Sequence, residues 1–360
     1  MISSNNAVIW SRRTLTREQE RALVQWKNLL AEAGLDRVLV RDPGSEPAQV
    51  AERFQVLARL FGKGLDVEKR DLEACVPAGQ LAAVEALGLV NRIGERVAPA
   101  HRLVFHLGLW LFCETVSPSA RFYYGNDSME LSRTLQGAEG SVLDLCSGVG
   151  TPALVCAPTA ARVSAVEIEP LAAKLFWINA AMNELSNKVE LLNGDLFGPV
   201  AGRRFDVISC NPPFMPVPED VRYPRFADGG NDGLAIMRRL MAGLPEALAP
   251  GGRCEAIGAV LGNRERPDLA AFKKMAVDSS LVIILDCRTR EELEGKTLKQ
   301  LVGMAMDAGR EEDVELAFRS HFASLKATHL YCFLLHAVRA PSPTVCASYC
   351  DGTSTASWVE

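Results

Sequence analysis

The chain predicts an α/β fold, a doubly wound sheet of seven strands behind a mostly helical N-terminal domain, and three observations carry that expectation. From Gly140 onward, apolar strand-like runs alternate with helix-compatible segments. The first of those runs closes on a glycine-bearing turn, Ser147-Gly148-Val149-Gly150, where a ligand can approach the backbone at the end of a strand. The 360 residues, 48% hydrophobic and 23% charged, suffice for one large globular domain and a smaller one, and exclude whole-chain disorder.

Residues 1–120 read as the smaller domain. Thr16 and Gln19 have capping-box spacing ahead of a helix whose apolar face is Ala22, Trp26, Leu29, Leu30 and Ala33, with Gly34 as its stop. Helical spacing returns from Pro47 to Phe61 through Val50, Phe54, Val56, Leu57 and Leu60, and again from Asp71 to Leu87, where Gly88 breaks it. Two short strands come next, Leu89 to Ile93 and Arg96 to Pro99, turned at Gly94-Glu95. Helices followed by a small hairpin resemble a winged-helix unit. Such units often bind DNA, yet Glu73, Glu85 and Glu95 interleave here with Arg92 and Arg96, so no basic recognition face forms. A structural or substrate-covering role is the better reading.

Residues 121–340 hold the seven expected strands, at 142–146, 163–167, 189–192, 205–210, 253–261, 281–286 and 330–338, and a helix is expected over Gly233 to Leu248. Beyond Arg339 the composition turns to Pro, Ser, Thr and Cys without periodicity, so 341–360 is expected to be a flexible tail.

Composition narrows the function. Lys plus Arg total 39 against 44 Asp plus Glu, a net charge of −5, so no overall basic field exists to hold nucleic acid. The 10 cysteines, among them Cys113, Cys156, Cys210 and Cys332, lack the close pairs that bind zinc and read as buried reduced thiols of a cytoplasmic protein. The opening Met1-Ile2-Ser3-Ser4-Asn5-Asn6 has neither the basic flank nor the apolar core of a signal peptide, and no apolar run reaches about 18 residues. A soluble chain without membrane association is expected. The 5 histidines show no metal-binding spacing, and no G-x-S-x-G element marks an acyl-transfer nucleophile.

The central signal is Asp144-Leu145-Cys146-Ser147-Gly148-Val149-Gly150-Thr151. Ala153 stands at the third position of the dinucleotide pattern G-x-G-x-x-G, where it is tolerated, so spacing alone leaves a nicotinamide cofactor open. Glu167 ends the next strand, and a carboxylate there can chelate ribose hydroxyls. After the third strand, Asp195 could accept the exocyclic amine of adenine under apolar cover from Leu196 and Phe197, or could cap a helix. The fourth strand ends in Asn211-Pro212-Pro213-Phe214.

Those four motifs in that order resemble a class I S-adenosylmethionine-dependent methyltransferase over about Phe122 to Val338, and the N-P-P-F element is similar to that of amino-group methyltransferases. The resemblance implies a Rossmann-like methyltransferase sheet and S-adenosyl-L-methionine as cofactor. It implies that the loop from Asp144 to Gly150, with Cys146, Ser147, Gly148 and Thr151, holds the methionine moiety, that Glu167 holds the ribose, and that Asp195 and Leu196 hold the adenine. Asn211 would meet both cofactor and acceptor. Glu169, followed by Pro170, is favoured as a solvated helix cap.

A sulfonium methyl is already electrophilic, so such an enzyme must chiefly exclude water and align a nitrogen lone pair with the carbon–sulfur bond. The Asn211 side-chain oxygen and the Pro212 carbonyl can accept two hydrogen bonds from a substrate N–H group, on a backbone made rigid by proline. Phe214 could stack on a planar acceptor or pack over the methyl donor, adding about 0.5–2 kcal/mol against a cationic centre, or could be core. Asn211, Pro212 and Phe214 are therefore the candidate catalytic residues. The preceding stretch 122–128 resembles a segment that folds over the cofactor in N-P-P-[FY] enzymes: Tyr123 and Tyr124 offer aromatic walls, while Asp127 and Ser128 could bind the methionine end or cap a helix starting near Met129. The loop Arg222 to Asp232 brings Tyr223, Arg225 and Asp228 as substrate contacts, or is merely solvated.

For the acceptor, a small amine, amino acid or biosynthetic intermediate of secondary metabolism is the preferred reading, because the chain has Phe214 where release-factor glutamine methyltransferases usually have tyrosine, a longer front end than theirs, and no basic RNA-docking charge. Protein glutamine or RNA adenine methylation, aminocarboxypropyl chemistry or cyclisation of the sulfonium with release of methylthioadenosine, and a non-catalytic cofactor-binding module are the alternatives. Neither oligomeric state nor acceptor is encoded in these motifs.

Overall fold

The computed structural model describes residues 14–39, 50–77, 79–307, 309–350 and 355–359. Helix α1 (Arg17–Glu32) starts at the expected capping box, Thr16 and Gln19 each accepting the other's backbone N–H at 3.1 and 2.9 Å, and the chain turns out of it at Gly34, φ +71°. After α2 (Leu35–Leu39), the Pro47 start of the second expected helix lies outside the described residues. The rest of that stretch is not one α-helix but a 3-10 turn at Glu52–Phe54, α3 (Gln55–Leu57) and a π-helical turn at Ala58–Gly62. The helix expected over 71–87 is likewise two, α4 (Lys69–Glu73) and α5 (Gln80–Ala86). Pro77, with no N–H to give, and Gly79 at φ +82° interrupt it.

Strand β1 (Val67–Glu68) completes a three-stranded sheet with the expected hairpin, β2 (Val90–Ile93) and β3 (Arg96–Pro99), in the order β1-β3-β2. A second hairpin, β4 (Arg102–His106) with β5 (Leu109–Cys113), is not among the predicted elements. Its second strand is buried along its whole length and has no alternation to reveal it.

The remaining chain runs α6 (Asn126–Thr134), β6 (Ser141–Leu145), α7 (Thr151–Cys156), β7 (Arg162–Glu167), α8 (Pro170–Met182), β8 (Val189–Asn193), β9 (Phe205–Cys210) and α9 (Ala235–Ala247). It continues through β10 (Leu248–Gly262), α10 (Ala270–Ser279), β11 (Leu281–Glu292), α11 (Gly295–Met304), α12 (Glu311–Ser324), β12 (His329–Arg339), β13 (Thr344–Cys350) and β14 (Thr355–Val359). The fold is the Rossmann-like methyltransferase sheet, with nine strands rather than seven, in the order β14-β13-β11-β12-β10-β9-β6-β7-β8. All seven expected strands are present. The two extra ones come from the stretch expected to be a flexible tail: β13 pairs parallel with β11, and β14 folds back on β13. Val345 and Ala347 alternate into the core there, a period-two pattern of small residues that Ser, Thr and Cys composition conceals.

Strand β6 lies between β9 and β7, where the strand order reverses, and the carboxyl ends of these parallel strands open into a crevice. Its side chains alternate, Val142 into one apolar cluster and Leu143 and Leu145 into the other, so both faces of the sheet are covered. The N-terminal part is fastened to α8 by two asparagines one turn apart. Asn183 accepts Trp110 N–H at 3.0 Å and donates to its carbonyl at 2.7 Å. Asn179, fully buried, accepts Phe112 N–H at 2.8 Å and donates to the carbonyls of Phe112 and Val149, each at 3.1 Å. One side chain thus joins the edge of β5 to the glycine turn. Among the described residues no helix is long and apolar enough to cross a membrane.

Replacing Asn179 by Ala leaves a buried N–H and two carbonyls without their partner. The expected loss is about 1–3 kcal/mol of unfolding free energy, read as a lower urea midpoint at unchanged slope.

Candidate active site at the carboxyl ends of the central strands

A cavity of about 1040 Å³ occupies the crevice. That is at the upper end of the ~300–1,000 Å³ typical of small-ligand sites and leaves room for more than a nucleoside. Its walls come from the turn after β6, the ends of β7 and β9, residues 194–196, the segment Val116 to Ser128, the loop Tyr223 to Ala227, and β11 with α11.

The turn after β6 is built around Asp144. Its carboxylate accepts from Ser147 Oγ at 2.7 Å, from Ser209 Oγ on β9 at 2.7 Å and from the Ala153 N–H of α7 at 3.3 Å. Burial pushes this carboxyl up to about 6, against the pull of those three donors. Asp144 does not reach the cavity surface, nor does Gly150, whose φ is +92° and where a Cβ would stand 2.5 Å from the Phe176 ring. Both expected cofactor residues lie behind the loop and not on the cavity wall. Cys146, Ser147, Gly148 and Thr151 do line the cavity. Thr151 is 2% exposed, and its hydroxyl finds no hydrogen-bond partner among the described residues, an orphaned polar atom of the kind a ligand satisfies.

Glu167 lines the cavity at the end of β7. It accepts backbone N–H bonds from Gly148, Ile168 and Glu169, each at 2.7 Å, and burial raises its carboxyl above the usual range despite them. Glu169 caps α8 as expected, accepting from Leu171 N–H at 3.2 Å, but it is not simply solvated: Arg121 pairs with it at 2.6 Å and both line the cavity. Leu196 is buried at the wall with φ +45°. Asp195 stands exposed, with Arg239 of α9 at 2.7 Å from its carboxylate, so its side chain serves as no helix cap.

Asn211 directly succeeds β9. Its Nδ2 donates to Ser128 Oγ at 3.0 Å. Pro212 and Phe214 line the same wall. Asp127 accepts the Ser128 N–H at 2.8 Å. Burial pushes the Asp127 carboxyl up to about 6 and raises Tyr123 above its ordinary value. Gly125 holds the N-cap position of α6 and makes no side-chain cap bond, while the Asp127 carboxylate takes up the first-turn N–H of Ser128. The Tyr123 ring stacks on Phe226 at 6.1 Å and 19°.

Other expected substrate residues sit differently. Tyr124, 2% exposed, packs into the core with Arg102 over its ring, and Tyr223 packs edge-on to Phe318, so both back the wall instead of presenting free faces. Arg225 is exposed at the cavity, but Asp228 is not among the lining residues. The loop 222–232 is tied down along its backbone. Met215 and Ala227, Gly229 and Met215, and Val217 and Gly230 exchange backbone bonds at 2.8–3.0 Å, and Met306 N–H reaches Arg222 O at 2.9 Å. Gly229 and Gly233 are needed for this. Added Cβ atoms would stand 2.7 Å from Phe214 Cα and 2.5 Å from Phe214 O. Sequence reasoning missed Ile168, Arg239, Cys332 and the α11 face with Thr297, Gln300 and Met304. Only Ile168, beside Glu167, had a neighbour to flag it. Among the described residues no group of three or more His, Cys, Asp or Glu is placed to hold a metal ion.

A family model described as the methyltransferase small domain matches residues 126–264. A ribosomal protein uL3 glutamine methyltransferase of Bradyrhizobium diazoefficiens is 39% identical over 225 residues, covering 54% of this chain and 69% of its own. A release factor glutamine methyltransferase of Moorella thermoacetica is 39% identical over 230 residues, covering 55% of this chain and 81% of its own. The solved structure of Trm5b from Pyrococcus abyssi aligns at a TM-score of 0.39 and 16% identity over 69% of this chain and 62% of that one.

Asp144 has a definite pH signature. Its folded value near 6 lies above the ordinary 3.8, so the folded chain holds the proton more tightly, and the stability this group contributes, full below about pH 4, is lost as pH rises to about 6. A shift of that size corresponds to about 3 kcal/mol. Asp144→Asn removes that titration, so the gap between wild-type and variant unfolding free energies is expected to change across pH 4–6 and to level off above it.

Proposed function

Since the chain belongs to the methyltransferase small-domain family of S-adenosylmethionine-dependent methyltransferases, we propose that it transfers the methyl group to the side-chain amide nitrogen of a glutamine in a protein of the translation apparatus. The expectation of a small-molecule acceptor is overturned by relatives named for glutamine in ribosomal protein uL3 and in release factors. Its premises fail physically as well. The Phe214 ring is half-buried against the apolar clusters, so a missing hydroxyl there says little about the acceptor. No described residue before Val116 lines the cavity, so the long front end is no lid over a small substrate.

The observation that carries the reading is the orientation of Asn211, whose NH2 is taken up by Ser128 Oγ. Its amide oxygen is left for a donor from outside, and the Pro212 carbonyl beside it is a second acceptor. A primary amide brings two N–H bonds to satisfy both. Held at two points, the nitrogen turns its lone pair toward the sulfonium carbon.

The cavity's donors and acceptors fit the cofactor. Glu167 would take the ribose hydroxyls, the turn Cys146 to Gly148 and the Thr151 hydroxyl the methionine end, and Ile168 with Leu196 the adenine faces. Bound there, S-adenosylmethionine supplies a methyl on a positively charged sulfur. Phe214, Ile257, Leu330 and Phe333 line the site with apolar surface and exclude water from that carbon. The amide proton displaced on methylation leaves to solvent.

Two outcomes test this. Asn211→Ala is expected to lower methyl transfer by about a hundredfold or more while calorimetry finds S-adenosylmethionine affinity within a factor of about three of wild type. Equal loss of binding, or no loss of transfer, refutes the role. With recombinant uL3 and release factor as acceptors, mass spectrometry is expected to find one added methyl on a glutamine of one of them, removed when that glutamine is changed to Glu. Release of methylthioadenosine, or methylation of neither protein, would count against the proposal.

A further inference from the structure

The cavity extends further than methyl transfer to a bare amide requires. We infer that its far side, beyond Asn211, is a docking subsite for the polypeptide next to the acceptor glutamine, an extended segment that α11 contacts through Thr297, Gln300 and Met304. The inference rests on the proposed glutamine acceptor and carries it from one side chain to its neighbours in sequence.

The sheet sets the scale. The residues proposed to hold the cofactor follow β6, β7 and β8, whereas Asn211 follows β9, and the cavity runs on past β10 and β12 to Arg288, Thr289 and Glu291 near the carboxyl end of β11. From β9 to β11 is three strand spacings, about 14 Å at ~4.8 Å each. A glutamine side chain spans roughly 5 Å from its Cα to its amide nitrogen, given bonds of about 1.5 Å. The remainder, about 9 Å, is the rise of two or three extended residues at ~3.3 Å each. An acceptor that ended at the glutamine would leave most of this side unfilled.

Helix α11 presents one face to this space. At 3.6 residues per turn, Thr297, Gln300 and Met304 fall within an arc of about 60°, and all three line the cavity. Leu298 and Leu301 are buried in one apolar cluster with Phe318 and Phe322 of α12, so the helix is held by packing. Just past its end, Met306 N–H bonds Arg222 O at 2.9 Å and joins it to the loop after β9. Arg288 pairs with Asp286 at 2.8 Å, and Glu291 accepts the Thr297 hydroxyl at 3.2 Å. The exposed Gln300 amide is both donor and acceptor, as a peptide group is, and suits main chain of any sequence. Met304 and Met306 beside it line the wall with flexible apolar surface, which accommodates an apolar side chain of varied shape.

The test uses the full chain carrying Gln300→Cys, with labelling by N-ethylmaleimide at position 300 followed by mass spectrometry beside that of native Cys146, which lines the cofactor side. Saturating S-adenosylhomocysteine is expected to slow labelling of Cys146 by about fivefold or more and to leave position 300 within about twofold. Adding whichever of recombinant uL3 or release factor the wild type methylates is expected to slow position 300 by about fivefold or more. In a second variant, Gln300→Trp, the KM for that protein is expected to rise about tenfold, with kcat and cofactor affinity within about threefold of wild type. Protection of position 300 by the nucleoside alone overturns the inference, as does labelling there that the acceptor leaves unchanged, or an unchanged KM in Gln300→Trp. Each of those results leaves glutamine methylation standing. If the wild type methylates neither protein, it is the glutamine reading that has fallen, and the inference falls with it.

Discussion

Burying the Asp144 carboxyl beneath the central strand ties together three stretches of chain that are far apart in sequence: the glycine turn through Ser147, the start of α7 through Ala153, and β9 through Ser209. The register of β6 against β9 puts Asp144 directly across from Ser209, two residues before Asn211. One desolvated group therefore sets the height of the cofactor loop and of the acceptor motif together. The donors around it offset a penalty that an unbonded carboxylate in this position would meet in full.

The acceptor side is made rigid by different means. Gly229 and Gly233 bring one backbone against another at Phe214, closer than any side chain would allow, and the paired loop then fixes Pro212 and Phe214 from outside. Groups held in place before a ligand arrives need little rearrangement when it does, and this is how fixed dipoles stabilise a reacting centre. The same logic explains why Tyr223 and Tyr124 are poor as surface contacts. Their rings are spent on packing the wall that positions others.

Much of this was legible in the residues. Seven strand positions and the order of their acidic ends could be read from apolar runs and turn chemistry, and the capping box at Thr16 and the stop at Gly34 from local hydrogen bonding. The features that stayed hidden depend on contacts distant in sequence. Asp144 looks like a ligand-binding acid because it stands just ahead of the glycine turn, and only the pairing with β9 shows that its lone pairs are already used. Asp195 looks like a cap until Arg239, from a helix many residues on, is seen beside it. The strands β13 and β14 escaped notice because small residues bury little area, so their alternation is weak against a polar background. Phe214 misled in another way. One absent oxygen on a ring was weighed as chemistry when the ring is half-buried in packing.

Helix α11 lies beyond residue 264, outside the stretch that matches the methyltransferase small domain, yet Thr297, Gln300 and Met304 form part of the cavity wall. The crevice is thus assembled from residues inside that stretch and residues beyond it. Because α11 and the turn after β6 are separate elements, a change of side chain on that helix alters one wall of the crevice and leaves the opposite one standing.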